Sequence, residues 1–258
     1  YRGRILVVVD STHQNALQQD LDQLKFDLIG DGWSPLLIYT DPQETVVNIK
    51  FEIESLYQQH DDLEALLLVG NVPVPYSGNI APDGHTNNHQ GAWPADVYYG
   101  SFGNWTDATV NITTATGTRN DNIPGDGKFD QSVIPTNVEL QIGRIDFSDL
   151  TNFSQTEEVL LQQYLQRNHQ YRHKKFVPEA RGLIDDNFGG FNGEAFAANG
   201  WKNFAPLLGL NKTALEDYRS TLGTSSRLWS YGCGAGSFTS CNGVGTSADF
   251  AGDSLQAI

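Results

Sequence analysis

The chain has 258 residues, and its 16 Lys and Arg against 31 Asp and Glu give a formal net charge of −15 at pH 7. A hydrophobic content of 39% excludes a disordered acidic tail, and the acid excess argues against nucleic-acid binding, which depends on clustered basic residues. No apolar run approaches the ~20 residues that cross a bilayer, so no transmembrane segment is expected.

Short apolar runs alternate with segments of helical period, which predicts an α/β protein of three layers whose mostly parallel sheet is flanked by helices. The predicted N-terminal elements are strands at 5–9, 36–39 and 65–69, a helix capped by Ser11 or Thr12, and a helix at 42–60. The predicted C-terminal elements are strands at 140–145, 181–185 and 227–231, and helices at 152–172, 193–208 and 214–222. Since ligands gather at the carboxyl ends of parallel strands, Asp10 and residues 70–75 are expected along one edge.

A long region rich in Pro, Gly, Asn, Asp and aromatic residues separates these two parts. A loop of such length inside a compact domain is functional or is held by something other than apolar packing. We therefore predict an N-terminal α/β subdomain at 1–75, a loop-rich connection at 76–135, and a second subdomain at 136–258 that stops before its last strand.

The acidic segment NDNIPGDGKFD at 120–130 predicts a calcium site in this connection. Ca²⁺ prefers about six to eight oxygen ligands, and Asp126 and Asp130 match two positions of an EF-type loop. Val133 stands where that loop requires a bidentate Glu, so the alternative is a polar turn whose carboxylates accept hydrogen bonds from their own backbone. The predicted ligands are Asp121, Asp126, Asp130 and Asp96, with Asp107 as an alternative to Asp96.

Two other groups of residues are candidates for binding. Trp93, Tyr98 and Trp105 predict a stacking platform for a carbohydrate, or else aromatic side chains that close the core. The pairs His85/His89 and His169/His173 are each spaced by four residues, but a zinc site would need a third protein ligand.

Two features follow the predicted strands of the C-terminal part. Asp185 and Asp186 end one strand, where a carboxylate pair could share a proton for acid-base chemistry, or one could cap a helix beside a solvated neighbour. The glycine-rich segment 231–237 ends another strand and predicts a ligand or oxyanion cradle. Cys233 and Cys241 lie in or near this segment and fit either a local disulfide or two separate thiols.

The order of these segments resembles the gingipain-type cysteine peptidases of the caspase-like clan. The segments that carry the resemblance are LLVG at 67–70, VP at 72–73, PADVYY at 94–99, and IGRI at 142–145 followed by a helix with Glu157 and Tyr164. The resemblance implies a caspase-like fold in two linked subdomains, in which 136–258 is the caspase-like part, and often bound calcium.

In that family, one strand ends in a Gly-His-Gly turn whose His is the catalytic base, and the next strand ends in the nucleophilic Cys. Here the turn reads Gly-Cys-Gly, so the resemblance puts Cys233 at the base position, and the nucleophile strand would begin near Leu255. A thiol has no second ring nitrogen to orient against a carboxylate, so it does not replace an imidazole.

Three functions remain open on this basis. The first is a gingipain-like domain of a larger secreted or cell-surface protein that lacks the usual dyad and either serves a structural role or binds a protein, a peptide or a glycan. The second is an active cysteine hydrolase or peptidase. Its nucleophile is Cys233, activated by a histidine from outside the chain or by a carboxylate such as Asp185, or else a residue beyond Ile258. The third is a calcium-stabilised carbohydrate-binding module. The absence of Met, the abundant Asn and four Asn-x-Ser/Thr triplets favour a processed extracellular chain.

Overall fold

The computed structural model describes residues 1–81, 89–188 and 195–252. The chain forms two compact units, Tyr1–Ser148 and Asp149–Ile258. Within the described residues, no helix has both the length and the apolar character to cross a membrane.

The first unit is built on a parallel sheet of four strands in the order β2-β1-β3-β6. Its strands are β1 Gly3–Asp10, β2 Trp33–Thr40, β3 Leu63–Val69, β4 Tyr76–Ile80, β5 Gly91–Pro94 and β6 Gln141–Ile145, and its helices are α1 Gln18–Gly30 and α2 Val46–Gln59. Strand β1 is buried along most of its length because it lies between β2 and β3. The predicted α/β class and parallel strand arrangement are confirmed.

Helix α2 covers one face of this sheet. Thr45 caps its first turn by accepting a hydrogen bond from the Asn48 N–H group, and Ile49 and Ile53 pack with Leu6 and Leu68 in the main core. The cap predicted for α1 is different, because Asp10 accepts the Thr12 N–H group and closes a 3₁₀ turn at Ser11–His13 before α1 begins.

The loop region contains a β4–β5 hairpin and short 3₁₀ turns. Tyr98, Tyr99 and Phe129 from this region join the core under α2, with the Tyr98 and Phe129 rings stacked at 4.2 Å. Strand β6, which was predicted to open the C-terminal part, pairs with β3 in the first sheet. The first unit therefore ends beyond the predicted boundaries.

The second unit has its own parallel sheet in the order β8-β7-β9. Its elements are α3 Glu157–Arg172, β7 Gly182–Asp186, α4 Ala195–Leu208, β8 Thr213–Leu215, α5 Tyr218–Leu222, β9 Trp229–Cys233, a small sheet of β10 Gly236–Ser237, β11 Ser240–Cys241 and β12 Gly245–Thr246, and α6 Ser247–Gly252. The helix predicted at 214–222 was wrong in its first half, since residues 213–215 pair with β7.

Candidate functional site

The carboxyl ends of β7 and β9 form the candidate site of the second unit. The two strands are parallel, and their register places Asp185 beside Gly232 and Asp186 beside Cys233. Successive residues of a strand point to opposite faces. The two carboxylates therefore lie on opposite faces of the sheet, an arrangement that does not suit the predicted sharing of one proton.

Asp186, rather than Asp185, is the carboxylate next to Cys233. The Cys233 Sγ atom donates to Asp186 Oδ1 at 3.6 Å, and the same oxygen accepts the Phe188 N–H group at 2.9 Å. Cys233 is only 6% exposed and belongs to a core cluster with Ile184 and Phe204. Burial raises the pKa of its thiol to about 11, and the charge of Asp186 adds to the rise.

Asp185 holds backbone and side-chain groups of the neighbouring loops. Its Oδ1 atom accepts the Asn187 Nδ2 group at 2.9 Å, and its Oδ2 atom accepts the Tyr218 N–H group at 3.0 Å, where α5 begins. Burial raises the pKa of the Cys241 thiol, with a further contribution from the charge of Asp185. Asp185 therefore holds the start of α5, and its predicted catalytic role with Cys233 stays a prediction.

The glycine-rich loop after β9 folds into the small antiparallel sheet β10-β11-β12. A Cβ atom on Gly234 would lie 2.2 Å from the Asn242 carbonyl oxygen, and one on Gly243 would lie 1.9 Å from Asn187 Oδ1. These glycines allow chain segments of the protein itself to pack closely. This packing gives them a structural role in place of the predicted cradle for a ligand or an oxyanion. Cys233 and Cys241 are both free thiols.

A cavity of about 790 Å³ lies between α5 and this small sheet. Its lining includes the polar side chains of Asp217, Arg219, Ser240, Thr246 and Asp249, but not Cys233. Arg219 and Asp249 form an ion pair at 3.1 Å within it. The cavity can accept a polar group of a partner, but it does not expose the Cys233 thiol to that partner.

In the first unit, the acidic loop is organised by hydrogen bonds from backbone N–H groups to aspartate carboxylates. Asp130 accepts the N–H groups of residues 108–110 and the hydroxyl of Thr106. Burial alone would raise the pKa of Asp130, but these hydrogen bonds outweigh it and lower the pKa to about 2. Asp107 accepts the N–H groups of Gly125 and Gly127, both at 2.7 Å.

The remaining predicted calcium ligands also have protein partners. Asp126 accepts the Lys128 N–H group at 2.9 Å, Asp121 accepts the Ala115 N–H group at 3.1 Å, and Asp96 forms a two-point ion pair with Arg144 at 2.8 and 2.9 Å. Among the described residues, no three of the four predicted carboxylates bring oxygens within 4.8 Å of one another. These contacts favour the polar-turn alternative, and the calcium site stays a prediction.

Arg144 joins three segments of the first unit. Besides Asp96, its guanidinium donates to the Val72 carbonyl oxygen at 2.6 Å and lies 3.4 Å from Asp146. A planar guanidinium suits such a fork of acceptors. The motif residues Asp96 and Arg144 thus fasten the loop after β3 to β6.

At the predicted edge of the first sheet, Asp10 lies beside a histidine that the sequence did not single out. The Asp10 Oδ2 atom is 3.8 Å from His13 Nε2, and Asp10 Oδ1 accepts both the N–H group and the hydroxyl of Thr12. Asp10 and His13 are 2% and 7% exposed. This cluster closes the end of β1 by packing.

The three aromatic residues predicted as a carbohydrate platform do not share one exposed surface. Tyr98 is 4% exposed in the core, and Trp105 packs edge-on against it with ring centroids 5.4 Å apart. Trp93 is exposed, and its indole N–H group donates to the His89 carbonyl oxygen. His85 lies outside the described residues, and the His169 and His173 rings are in contact at 4.3 Å.

Sequence reasoning missed two features, the contact of Asp186 with Cys233 and the role of Lys50. Asp186 was named only as half of a carboxylate pair, because its position beside Cys233 depends on the register between β7 and β9. Lys50 falls on the buried stripe of α2 beside Ile49 and Ile53, which marks it as an inward-facing cation.

Comparisons with known proteins give no match, whether with protein-family models, curated proteins or solved structures.

Proposed function

We propose that the chain is a gingipain-like, extracellular domain without peptidase activity, which binds a protein or peptide partner or serves a structural role. The observation that carries the proposal is the buried Cys233 thiol at the end of β9, in contact with the Asp186 carboxylate. In the family that the sequence resembles, this strand end holds the catalytic base.

The chemistry of the Cys233 thiol supports the absence of catalysis. Nucleophilic attack requires the thiolate. With a thiol pKa of about 11, roughly one molecule in ten thousand carries the thiolate at pH 7. A neighbouring carboxylate raises this pKa further, whereas active cysteines lie next to positive groups.

The surroundings of Cys233 also offer no imidazole in the described part of the chain. The groups that shift its pKa are Asp186, the Asn187 N–H group and Cys241. Neither Asp186 nor Asp185 substitutes for the histidine, because a carboxylate is a weaker base toward a thiol than an imidazole is. The alternative of an active hydrolase that uses Cys233 therefore has no imidazole to activate the thiol among residues 149–188 and 195–252.

A binding role is supported by the polar cavity beside the small sheet. Concave surfaces with a few convergent polar groups are the usual location of ligand sites, and this one lies beyond the carboxyl ends of the parallel strands. Its lining combines Asp217, Arg219 and hydroxyl side chains. A partner's polar side chains could bind there without any covalent chemistry.

The test is the pH dependence of Cys233 alkylation by iodoacetamide, followed by peptide mapping. We expect slow modification at pH 7 that increases up to about pH 11, together with no hydrolysis of a mixed peptide library. Asp186→Asn removes the adjacent charge and should lower the apparent thiol pKa, while Asp217→Asn is the matched control in the same unit. Rapid modification of Cys233 at neutral pH, or peptide cleavage that Cys233→Ser abolishes, would show that the domain is an active hydrolase.

A further inference from the structure

The four Asn-x-Ser/Thr triplets begin at exposed asparagines in both units. They are Asn104-Trp-Thr, Asn111-Ile-Thr, Asn152-Phe-Ser and Asn211-Lys-Thr, and all four asparagines are exposed. An exposed position is required of an acceptor for N-linked glycans, and such triplets are typical of surface loops. The four triplets differ, however, in what their hydroxyl groups do.

In two of the triplets, the hydroxyl group forms hydrogen bonds within the folded chain. The Thr106 hydroxyl donates to Asp130 at 2.8 Å and accepts from the Gln131 side chain at 2.7 Å. Thr213 is 6% exposed, and its hydroxyl contacts the Gly209 carbonyl oxygen at 3.2 Å. In the folded chain these triplets cannot present their hydroxyls without local opening.

The other two triplets present both ends to solvent. Thr113 and Ser154 are exposed, like the asparagines that precede them by two residues. The Ser154 hydroxyl donates to the side chain of the adjacent residue, Gln155, at 3.3 Å, and this contact is itself exposed. The central residue is anchored in each case, since Ile112 pairs with Asn122 through two backbone hydrogen bonds and the Phe153 N–H group donates to the Leu150 carbonyl oxygen. Each triplet therefore holds its amide and its hydroxyl outward from a fixed central residue.

We propose that Asn111 and Asn152 are N-glycosylation sites of the folded chain, one in each unit, whereas Asn104 and Asn211 are acceptors only before folding. In the reaction, the asparagine Nδ2 atom forms a bond to the anomeric carbon of an oligosaccharide carried on a polyisoprenoid phosphate. The bond from that carbon to the carrier phosphate breaks, the lipid phosphate leaves, and Nδ2 loses one proton, so nothing is oxidised or reduced.

The inference shares only the extracellular setting with the proposed function. It depends on the loops of residues 104–113 and 149–156 and on the hydroxyl of Thr213, and it does not involve Cys233. Failure of the alkylation test therefore leaves the glycosylation inference intact, and the reverse also holds.

The experiment uses unglycosylated folded chain, a purified oligosaccharyltransferase and a lipid-linked oligosaccharide donor. Occupancy of each triplet is measured by enzymatic glycan release in ¹⁸O water and peptide mapping. We expect modification of Asn111 and Asn152 about tenfold faster than that of Asn104 and Asn211 in the folded chain, and no such difference after unfolding in urea.

Two variants and one control complete the test. Thr113→Ala and Ser154→Ala should each abolish modification at their own triplet alone, while Asn137→Gln, at an exposed asparagine outside any triplet, should change nothing. Equal modification of all four triplets in the folded chain, or no modification of Asn111 and Asn152, would overturn the proposal.

Discussion

Single aspartates organise the loop region because their carboxylates accept hydrogen bonds from successive backbone N–H groups. Asp130 is the clearest case, with three backbone donors and the Thr106 hydroxyl. Hydrogen bonds to a charged group are stronger than those between neutral groups. A small number of such residues can therefore hold a segment that has little apolar surface to bury.

We expect Asp130→Asn to destabilise the first unit by about 2 kcal/mol at pH 7, since an amide accepts fewer of these hydrogen bonds. The pKa of Asp130 is about 2 in the folded chain, compared with 3.8 for an aspartate outside the fold. The lowered pKa contributes stability that is present above about pH 4 and is lost as the pH falls through 2. Urea unfolding of both proteins from pH 7 to pH 2 should show the difference shrinking below pH 4. A pH-independent difference would contradict this account.

Gly243 illustrates a residue whose size, and not only its backbone angle, is restricted. Gly243 and Gly127 both have positive φ, +79° and +87°, but only Gly243 lies against another residue, Asn187. We expect Gly243→Ala to lower the free energy of unfolding by about 2 kcal/mol more than Gly127→Ala does. In the second variant only backbone strain is destabilising, since no other residue lies near the added methyl group. Urea unfolding curves measure the difference, and equal costs would show that the contact with Asn187 yields easily.

At the scale of elements, Lys50 joins α2 to the 3₁₀ turn that contains the aromatic motif. Its ammonium group donates to the carbonyl oxygens of Tyr98 and Ser101 and lies 4.3 Å from the centre of the Tyr98 ring. The Trp105 indole N–H group donates to the same Ser101 oxygen. The Lys50 ammonium group thus donates hydrogen bonds to buried carbonyl oxygens, which apolar packing cannot do.

We expect Lys50→Met to destabilise the first unit by about 1 to 3 kcal/mol, because the buried Tyr98 carbonyl oxygen loses its donor and the Ser101 oxygen keeps only the Trp105 indole N–H group. Trp105 should report the change through its fluorescence in the folded state. The matched control is Lys25→Met, since Lys25 is a 41% exposed helical lysine whose ion pair with Asp22 is itself solvent-exposed. That variant should change stability by less than about 0.5 kcal/mol. If both variants behave alike, Lys50 does not join these elements.

In the second unit, the end of strand β9 determines the surroundings of the Cys233 thiol. Strand β9 continues through Cys233, so the sulfur enters the core cluster and contacts Asp186. The pairing of β7 with β9 therefore sets the burial of the Cys233 thiol and its contact with Asp186.

For the whole molecule, the net charge of −15 complicates any test for calcium. A strongly acidic protein attracts divalent cations to its surface without a specific site. We expect millimolar Ca²⁺ to raise the melting temperature of metal-free protein no more than Mg²⁺ at equal ionic strength, since the acidic-loop carboxylates already bind backbone groups. A stabilisation specific to Ca²⁺ that Asp126→Asn removes would establish the predicted calcium site.

The parallel α/β architecture could be predicted because it depends on local patterns of apolar residues. Runs such as 5–9 and 65–69 are long enough to be strands and too short to be helices, and their neighbours have helical period. The short strand at 213–215 was assigned to a helix, because three residues carry too little pattern to show their pairing with β7. Predicted and observed element boundaries also differ where a non-helical turn precedes a helix, as after Asp10.

The sequence by itself determined the class of fold, the acidic character and the position of a cysteine at a strand end, because composition and local period are properties of the chain. Only the tertiary structure decided which carboxylate faces the sulfur, which hydroxyls remain exposed and which aspartates already have backbone donors. Those outcomes depend on contacts between residues far apart in the chain, and nothing in a local pattern encodes the register or the burial that produces them.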